Sequence, residues 1–377
     1  MTTQVNYTRH TGVDPHQGGS MEQGQDHRGG WAIGLAETGF LPDWMIRAGI
    51  RRLNRQRQDQ ISADDLATVA DQLRVFVRAM AGSEVAPVPH KANEQHYEVP
   101  AEFFTLALGK QRKYSCGYWP AEVESLDDAE AEALRKTCEH AGIADGMEIL
   151  DLGCGWGSLS LWIARHYPGC SVTSVSNSAP QREHITAMAK EMGLKNIRVI
   201  TSDMNDFSAS GTYDRIVSVE MFEHMRNYPE LFRRISTWLN PGGRFFMHIF
   251  CHRSAAYEYV DKGPGDWMSR HFFTGGIMPS ADLPLHFQQH LGLESRWIWD
   301  GQHYQKTANA WLDNMDRRKA EIMPIMRNTY GKEQAARWFM RWRIFFMACA
   351  ELFGTDGGQE WMVAHYLFGR QQDLETR

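Results

Sequence analysis

The fold is decided by the stretch Met147-Glu148-Ile149-Leu150-Asp151-Leu152-Gly153-Cys154-Gly155-Trp156-Gly157. A short apolar run ends in an acidic residue, and three glycines follow at alternate positions. Glycine tolerates a tight turn and lets a ligand lie against the backbone, and a helix that begins after the turn offers free N–H groups. The stretch therefore predicts a strand, a ligand-binding loop and a helix.

The residues of this loop also restrict the kind of ligand. The loop has no phosphate-binding lysine, and its spacing differs from the GxGxxG fingerprint of dinucleotide-binding proteins. Asp151 suits the cationic methionine end of a cofactor better than it suits a pyrophosphate. We therefore expect an S-adenosylmethionine site in which Asp151, Gly153 and Gly155 contact the cofactor. The alternative is a purely structural turn.

Helical and strand-like patterns alternate on both sides of the loop. Short β-branched runs separated by helical segments are typical of a doubly wound, Rossmann-like α/β sheet, which is the predicted fold class. After residue 254 this pattern is broken by aromatic loops and helices, which are expected to form a cap. The predicted elements are helix 128–141, strand 147–152, helix 157–167, strand 171–176, helix 179–192, strand 197–201, strand 213–219, helix 228–239, strand 243–250 and helices at about 305–330 and 332–353.

The chain divides into four parts. Residues 1–30 are rich in Gly, Gln, His and Asp and are predicted to be a disordered tail. Residues 31–125 are predicted to form a helical N-terminal segment and cofactor lid. Residues 126–254 are predicted to form the cofactor-binding core, and residues 255–377 a substrate cap that completes the catalytic domain.

Two helices are expected in the N-terminal segment, from Leu41 and from Ser62. The basic stretch Arg47–Arg57 is interpreted either as a solvated helix face or as a contact with anionic lipid.

Composition excludes several classes of protein. Forty basic and 46 acidic side chains give a net charge of −6, which argues against a general nucleic-acid binder. The sequence has no run of about 20 apolar residues, so no membrane span is predicted. The N-terminus lacks a secretory signal, so a cytoplasmic location is expected. The six cysteines form no CxxC pair and the histidines no HExxH set, so neither disulfides nor a metal site is predicted.

The ends of the next two predicted strands carry further cofactor candidates. Asn177 and Gln181 follow the second strand, where neutral amides can bind ribose hydroxyls; the alternative is that Asn177 only caps the next helix. Asp203 follows the third strand, where an acid can accept from the adenine amino group and Met204 can cover the ring. The alternative for Asp203 is a turn residue.

A Glu-His pair follows the fourth strand. Glu223 and His224 offer a general base near neutral pH and a carboxylate that orients an ammonium group. If Glu220 faces the same pocket, charge repulsion between the two carboxylates is expected to raise one of their pKa values. The alternative is that the pair caps the following helix.

Several separated stretches together resemble the cyclopropane fatty acid synthase family of methyltransferases, and most of all its coclaurine N-methyltransferase branch. The resemblance runs from about residue 40 to residue 370. The matching stretches are the glycine loop, Tyr114-Ser115-Cys116-Gly117-Tyr118-Trp119, Glu220-Met221-Phe222-Glu223-His224-Met225, His96-Tyr97-Glu98-Val99-Pro100, His248-Ile249-Phe250-Cys251-His252-Arg253, Gly276-Ile277-Met278-Pro279-Ser280-Ala281-Asp282, Gly301-Gln302-His303-Tyr304 and Glu360-Trp361-Met362.

The resemblance implies a class I methyltransferase fold and a role for particular residues. Tyr114 and Ser115 are implied to close over the cofactor, and Trp342 to line the substrate pocket. The residues implied to contact the cofactor are Gly153, Asn177, Gln181, Asp203 and Met204, and those implied to flank a substrate amine are Glu220, Glu223 and His224.

One position separates the two branches. The lipid cyclopropane synthases generally carry Gly where this chain has Glu220, and a carboxylate suits a cationic amine. Those synthases also hold a bicarbonate base, with residues that match four side chains of this sequence. The four are Cys116, Glu223, His248 and Tyr304.

The sequence therefore predicts a methyltransferase that converts S-adenosyl-L-methionine to S-adenosyl-L-homocysteine. The expected acceptor is the nitrogen of a hydrophobic or aromatic secondary or tertiary amine, with Glu223 and His224 as base and orienter. The alternative is a cyclopropane synthase-like enzyme that uses bicarbonate and acts on unsaturated acyl chains of membrane phospholipids. No nucleic-acid partner is expected, and a homodimer is left open.

Overall fold

The computed structural model describes residues 32–61, 66–88, 99–261, 263 and 266–374. Three of the predictions lie outside these residues. They are the disordered tail at 1–30, the helix start at Ser62, and the matching stretch His96-Tyr97-Glu98.

The centre of the molecule is a seven-stranded sheet with the strand order β3-β2-β1-β4-β5-β9-β8. The first five strands in this order run parallel, and β9 pairs antiparallel with both β5 and β8. The prediction of a doubly wound class I methyltransferase sheet is therefore confirmed. The strands are β1 (Glu148–Leu152), β2 (Ser171–Ser176), β3 (Ile197–Thr201), β4 (Tyr213–Val219), β5 (Leu239–His252), β8 (Leu291–Trp299) and β9 (Trp361–Arg370), while β6 (Tyr257–Glu258) and β7 (Ile277–Met278) form a separate ribbon.

Helices cover the sheet and build the N-terminal segment. Several begin at residues whose side chains cap free N–H groups, such as Ser178 and Asn227. The helices are α1 (32–37), α2 (Asp43–Ile61), α3 (Leu66–Ala81), α4 (Ala101–Ala107), α5 (Leu126–Ala141), α6 (Ser158–His166), α7 (Ala179–Glu191), α8 (Tyr228–Trp238), α9 (Trp267–His271), α10 (Gly301–Arg317), α11 (Lys319–Tyr330), α12 (Ala335–Phe353) and α13 (Gln371–Leu374), with 3₁₀ turns at Phe222–His224, Leu283–Phe287 and Thr355–Gly358.

The C-terminal third differs from the sequence expectation. The helix expected at about 305–330 is two helices, α10 and α11, which meet at Arg318. The segment after residue 254 also supplies β8 and β9 to the central sheet, and neither strand was predicted. Strand β9 lies between two other strands and is buried along most of its length. It therefore lacks the alternation of polar and apolar residues by which a half-exposed strand is identified.

The basic stretch Arg47–Arg57 lies on α2, which packs against α12. Arg47 and Arg51 form ion pairs with Glu351 at 2.8 and 2.9 Å. The guanidinium of Arg57 lies 5.3 Å from the ring centre of Tyr257. Part of this stretch is therefore an internal packing contact. No helix in the described portion of the chain is both long enough and apolar enough to cross a membrane.

Candidate active site

The glycine loop between β1 and α6 has the left-handed backbone that its sequence requires. Gly153 has φ 76° and Gly155 has φ 53°. A Cβ on Gly153 would lie 2.7 Å from the side chain of Met221, whereas a Cβ on Gly155 would meet no atom within 4 Å. Gly153 is therefore needed for close packing, and Gly155 leaves open space beside the backbone.

Two adjoining cavities meet at this loop, and together they contain every residue predicted to bind the cofactor. Both are lined by Gly153, Gly155, Gln181 and Glu220. The first also contains Asn177, Asp203 and Met204, and the second Tyr114, Ser115 and Asp151. Residues far apart in the sequence thus converge at the carboxyl ends of the parallel strands, where ligands bind in open α/β sheets.

The amides and acid near the ends of β2 and β3 fit a polar ligand. The Gln181 side chain is buried; its Oε1 accepts from Ser176 at 2.6 Å, and its Nε2 has no partner among the residues described. The alternative for Asn177 is wrong, because Ser178 caps α7. Asp203 does act as a turn residue, since its Oδ1 accepts the N–H of Asn205 at 2.7 Å, and it lines the cavity as well.

Asp151 is a buried carboxyl group beside the glycine loop. Its Oδ2 accepts the Ser160 hydroxyl at 2.6 Å. Burial raises its pKa to about 6, because the charged form loses its hydration. A cationic group bound in the adjoining cavity would compensate for this loss. The residues present therefore fit S-adenosylmethionine, whose methionine end carries an ammonium group.

The carboxylate of Glu220, directly after β4, is contacted by polar groups from three other segments. Its Oε1 accepts the Cys116 N–H at 3.0 Å and lies 3.2 Å from Nε2 of His248. Its Oε2 accepts the Tyr304 hydroxyl at 2.7 Å. Burial raises the pKa of Glu220, whereas the Lys113 charge and the hydrogen bonds from Cys116 and Tyr304 act to lower it.

Lys113 is a residue of this site that the sequence analysis missed. Its side chain is buried, and Nζ donates to Ser115 Oγ and to the carbonyl of Cys116, each at 2.6 Å. It therefore orders the predicted lid and brings a positive charge toward Glu220. A single lysine in a sequence is ordinarily solvated, so its only signal is its position directly before Tyr114.

Glu223 and His224 lie in the 3₁₀ turn Phe222–His224 and have different neighbours. Glu223 is buried, and its Oε1 accepts the N–H of Phe250 at 2.7 Å. Its Oε2 has no hydrogen-bond partner in the described structure. His224 lines the first cavity together with Glu220, and its ring centre lies 4.7 Å from that of Phe273. The helix-cap alternative is wrong, because Asn227 caps α8.

The pKa of Glu223 is raised well above its ordinary value, first by burial and then by the charge of Glu220. The repulsion expected between the two carboxylates therefore acts on Glu223. The neutral acid is the favoured form of this side chain.

Three residues of the bicarbonate match lie apart from Trp342, which the resemblance implies to line the substrate pocket. Cys116, His248 and Tyr304 converge on Glu220. Trp342 is fully buried in an aromatic cluster instead, with its ring centre 4.7 Å from that of Phe103. The Cys116 thiol points toward the carbonyl of Gly117, and burial raises its pKa well above the ordinary value, which disfavours a thiolate nucleophile.

Metal-ligating side chains do not cluster in the described ranges. No group of three or more His, Cys, Asp and Glu residues there has the geometry to hold a metal ion. Two of the histidines bind the backbone instead: Nδ1 of His303 accepts the N–H of Trp119, and Nδ1 of His252 accepts the N–H of Ala255, both at 2.9 Å.

Comparison with known proteins gives matches over most of the chain. The family model described as mycolic acid cyclopropane synthetase matches residues 88–361. The (S)-coclaurine N-methyltransferase of Papaver somniferum is 35% identical over 338 residues, which are 89% of this chain and 96% of that protein. The cyclopropane-fatty-acyl-phospholipid synthase of Escherichia coli (strain K12) is 30% identical over 275 residues, which are 72% of this chain and 66% of that protein.

The fold agrees with these matches. A crystal structure of coclaurine N-methyltransferase bound to N-methylheliamine and SAH superposes with a TM-score of 0.86 at 34% identity, and covers 89% of this chain and 98% of that one. The glycine loop, the cavities beside it and these relatives lead to one assignment. The chain belongs to the mycolic acid cyclopropane synthetase family and is an S-adenosylmethionine-dependent methyltransferase.

Proposed function

We propose that this enzyme methylates the nitrogen of a hydrophobic or aromatic secondary or tertiary amine. The observation that carries the proposal is the hydrogen bonding of Glu220. Its carboxylate accepts from the Cys116 N–H and the Tyr304 hydroxyl and contacts Nε2 of His248. A fixed carboxylate with only 9% of its side chain exposed, beside the cofactor loop, is suited to bind an ammonium group.

The same contacts argue against the alternative chemistry. In the lipid branch, residues matching Cys116, Glu223, His248 and Tyr304 hold bicarbonate, and position 220 is generally glycine. Here the Cys116 N–H, the Tyr304 hydroxyl and Nε2 of His248 are directed at the Glu220 carboxylate. These contacts occupy groups that a bicarbonate ion would need, which supports a base supplied by the protein.

The backbone of Glu220 supports the same conclusion. Its φ is 50°, in the left-handed region that glycine adopts freely. A residue with a side chain is destabilised there by about 1–2 kcal/mol. A strained residue at a functional site is retained for what its side chain does, and here the side chain brings a negative charge to the donors.

The relatives support an amine acceptor over a lipid. The match to the (S)-coclaurine N-methyltransferase spans 96% of that protein, whereas the match to the phospholipid synthase spans 66%. The first cavity also has apolar walls beside Glu220, formed by Met221 and Met225, and Phe273 lies against His224. Such surroundings suit a hydrophobic amine, and aromatic faces attract cations.

Glu220, His224 and Glu223 have different roles in the proposed reaction. S-adenosylmethionine, when bound, supplies a methyl group on a sulfonium, which the amine nitrogen attacks in line as the sulfur keeps the bonding electron pair. Glu220, in place of the Glu223 expected from the sequence, attracts the ammonium form and takes its proton, because an amine must be neutral to attack and the raised pKa of Glu223 favours its neutral form. His224 faces the same cavity and orients the amine. Glu223 stays neutral and leaves Glu220 as the charged carboxylate.

The test is a methyl-acceptor panel with labelled S-adenosylmethionine. Cyclic aromatic amines, simple aliphatic amines and vesicles of unsaturated phospholipid are supplied in parallel. We expect label in the aromatic amines, and its loss in Glu220→Gly but not in the matched exposed-surface control Glu321→Gln. Label in the phospholipid and in no amine would overturn the proposal.

A further inference from the structure

A row of histidines leads away from the Glu220 carboxylate. Nε2 of His248 faces Glu220, and Nδ1 of His248 lies 2.9 Å from Nε2 of His365. Nδ1 of His365 in turn lies 2.9 Å from Nδ1 of His140. Each of the three rings therefore uses its nitrogens to contact the next member of the row.

The sheet register produces this row. His248 on β5 and His365 on β9 are directly opposite each other in the antiparallel ladder. Side chains at paired positions project from the same face of a sheet and contact each other. His140 is in the last turn of α5, which packs against β5 and β9. The row therefore crosses from a central strand to the helix that covers it.

The row is buried at its inner end and open at its outer end. His248 and His365 are fully buried, whereas His140 is partly exposed. The ring of Trp297 stacks on His140 with centroids 4.1 Å apart, and Trp299 lies 4.2 Å from His365. These indole rings pack against the two outer histidines of the row.

A row of buried histidines is energetically unfavourable if it serves only to fill space. Burial lowers the pKa of each of the three rings, and that of His140 to about 4. The charge of Lys113 lowers the pKa of His248 further. At His140, the charge of Glu139 raises the pKa and that of Lys136 lowers it. Neutral imidazoles inside a sheet need their hydrogen bonds satisfied, and aliphatic side chains would fill the space without that requirement. The contacts between the rings and with Glu220 meet that requirement along the row.

We propose that His248, His365 and His140 carry the proton of the substrate amine from Glu220 to solvent. The inference rests on the proposed function, because each methylation of a protonated amine releases one proton inside a buried site. Glu220 receives that proton, and it must lose it before the next substrate binds.

The transfer is balanced with every ring neutral before and after. Glu220 gives its proton to Nε2 of His248 as the Nδ1 proton of His248 moves to Nε2 of His365. The Nδ1 proton of His365 moves to Nδ1 of His140, and the Nε2 proton of His140 leaves to water. Each ring gains one N–H bond and loses one, so no imidazolium has to exist in the core. One passage therefore moves one proton outward and leaves each ring in its other tautomer.

The test compares methyl transfer with proton release in single turnovers. Enzyme in excess is mixed with a protonated amine that the acceptor panel identified, in weak buffer with a pH-indicator dye, and methyl transfer is followed with labelled S-adenosylmethionine. The variants are His140→Phe, which keeps a ring on Trp297, His140→Ala, which leaves a gap, and His365→Gln. His286→Gln, at an exposed position outside the row, is the matched control.

In the wild-type enzyme and the His286→Gln control, we expect the proton to reach solvent at the rate of methyl transfer. In His140→Phe and His365→Gln, proton release should lag behind methyl transfer by about 10-fold or more. Added imidazole should remove the lag in His140→Ala and leave it in His140→Phe, a difference that a merely structural role would not produce.

Two results contradict different claims. If the wild-type enzyme methylates an amine and proton release keeps pace in both His140→Phe and His365→Gln, the proton path is wrong and the proposed function stands. If no amine is methylated by the wild-type enzyme, the proposed function itself is wrong and the path has no proton to carry. The partly exposed His140 keeps the test decisive if the buried His365 variant does not fold.

Discussion

The two halves of the central sheet carry their functional groups in different ways. In the cofactor half, which is β3, β2, β1 and β4, most of these groups lie on the loops that follow the strands, as Gly153 and Asp203 do, and Asp151 lies near the end of β1. In the acceptor half, which is β5, β9 and β8 with helix α10, His248 and His365 lie inside the strands themselves. The groups of the first half therefore line the cavities at the strand ends, whereas the histidines of the second half contact each other within the sheet.

This difference has an energetic consequence. Loop groups near solvent are hydrated when no ligand is bound, whereas groups inside strands must be satisfied by one another. Glu220 stands at the boundary, directly after β4, and is satisfied by Cys116, His248 and Tyr304. Changes in the acceptor half should therefore impair catalysis, and changes in the cofactor half should impair cofactor binding.

The largest effect is expected for Glu220→Gln. Glutamine preserves the size of the side chain but cannot take a proton from the amine. We expect kcat/KM for the amine to fall by about 10²–10⁴-fold, with the Kd for S-adenosylmethionine unchanged by calorimetry. Loss of cofactor binding in this variant would contradict the assignment of catalysis and cofactor binding to different halves of the sheet.

Asp151→Asn tests the cofactor half. The Asp151 pKa is about 6 in the folded protein, so between its unfolded value near 4 and about pH 6 the folded state binds more protons, and stability falls as pH rises. Asparagine removes this cost, and we expect the free energy of unfolding at pH 7 to rise by about 1–3 kcal/mol. Cofactor affinity should fall, as measured by calorimetry.

The same carboxyl group predicts how pH affects the wild-type enzyme. As pH falls through about 6, Asp151 becomes neutral and its attraction for the cationic cofactor is lost. The Kd for S-adenosylmethionine should rise there in the wild-type enzyme and stay flat in Asp151→Asn. A parallel rise in both proteins would assign the effect to another group.

A smaller effect is expected for Lys113→Met. The Lys113 charge lowers the pKa of Glu220, so its removal should raise that pKa. Because the proposed base must be ionised, the acidic limb of the kcat/KM profile should move to higher pH, with several-fold loss near pH 6 and little loss near pH 8. Lys113→Arg is the charge-retaining control. An acidic limb unchanged in Lys113→Met would show that the Lys113 charge does not set the pKa of the base.

The smallest effect is expected for Arg51→Ala on α2, a helix that packs against α12 outside both halves. The Arg51 side chain is 50% exposed in its ion pair with Glu351. Pairs of this kind contribute about 0–1 kcal/mol, so the free energy of unfolding in urea should change by less than about 1 kcal/mol with kcat intact. A large loss of turnover would show that the sensitivity of catalysis is not confined to the buried residues of the acceptor half.

The sequence predicts the cofactor half well because its signals are local. Strands β2, β3 and β4 match their predicted bounds, and the loop after β1 carries its three glycines at alternate positions. Within a strand–loop–helix unit, neighbouring residues determine the conformation, so one sequence is sufficient to predict the strands and the loop between β1 and α6.

The acceptor half depends on contacts that are distant in the chain. Cys116 and Tyr304 are 104 and 84 residues from Glu220. The buried strand β9, which carries His365, has no alternating pattern, and a buried Lys113 has no sequence signal beyond its position. The acidic residues themselves were identifiable, whereas the partners that fix their charge states required the folded chain.

The left-handed backbone of Glu220 has a genetic consequence. A position that already turns in this way accepts glycine without strain, and codons for glycine and glutamate differ by a single base. Under the proposed function, one point mutation at position 220 of an ancestor with glycine there would both introduce a carboxylate and displace a bicarbonate ion. A change of acceptor from alkene to amine would then need no intermediate lacking a base.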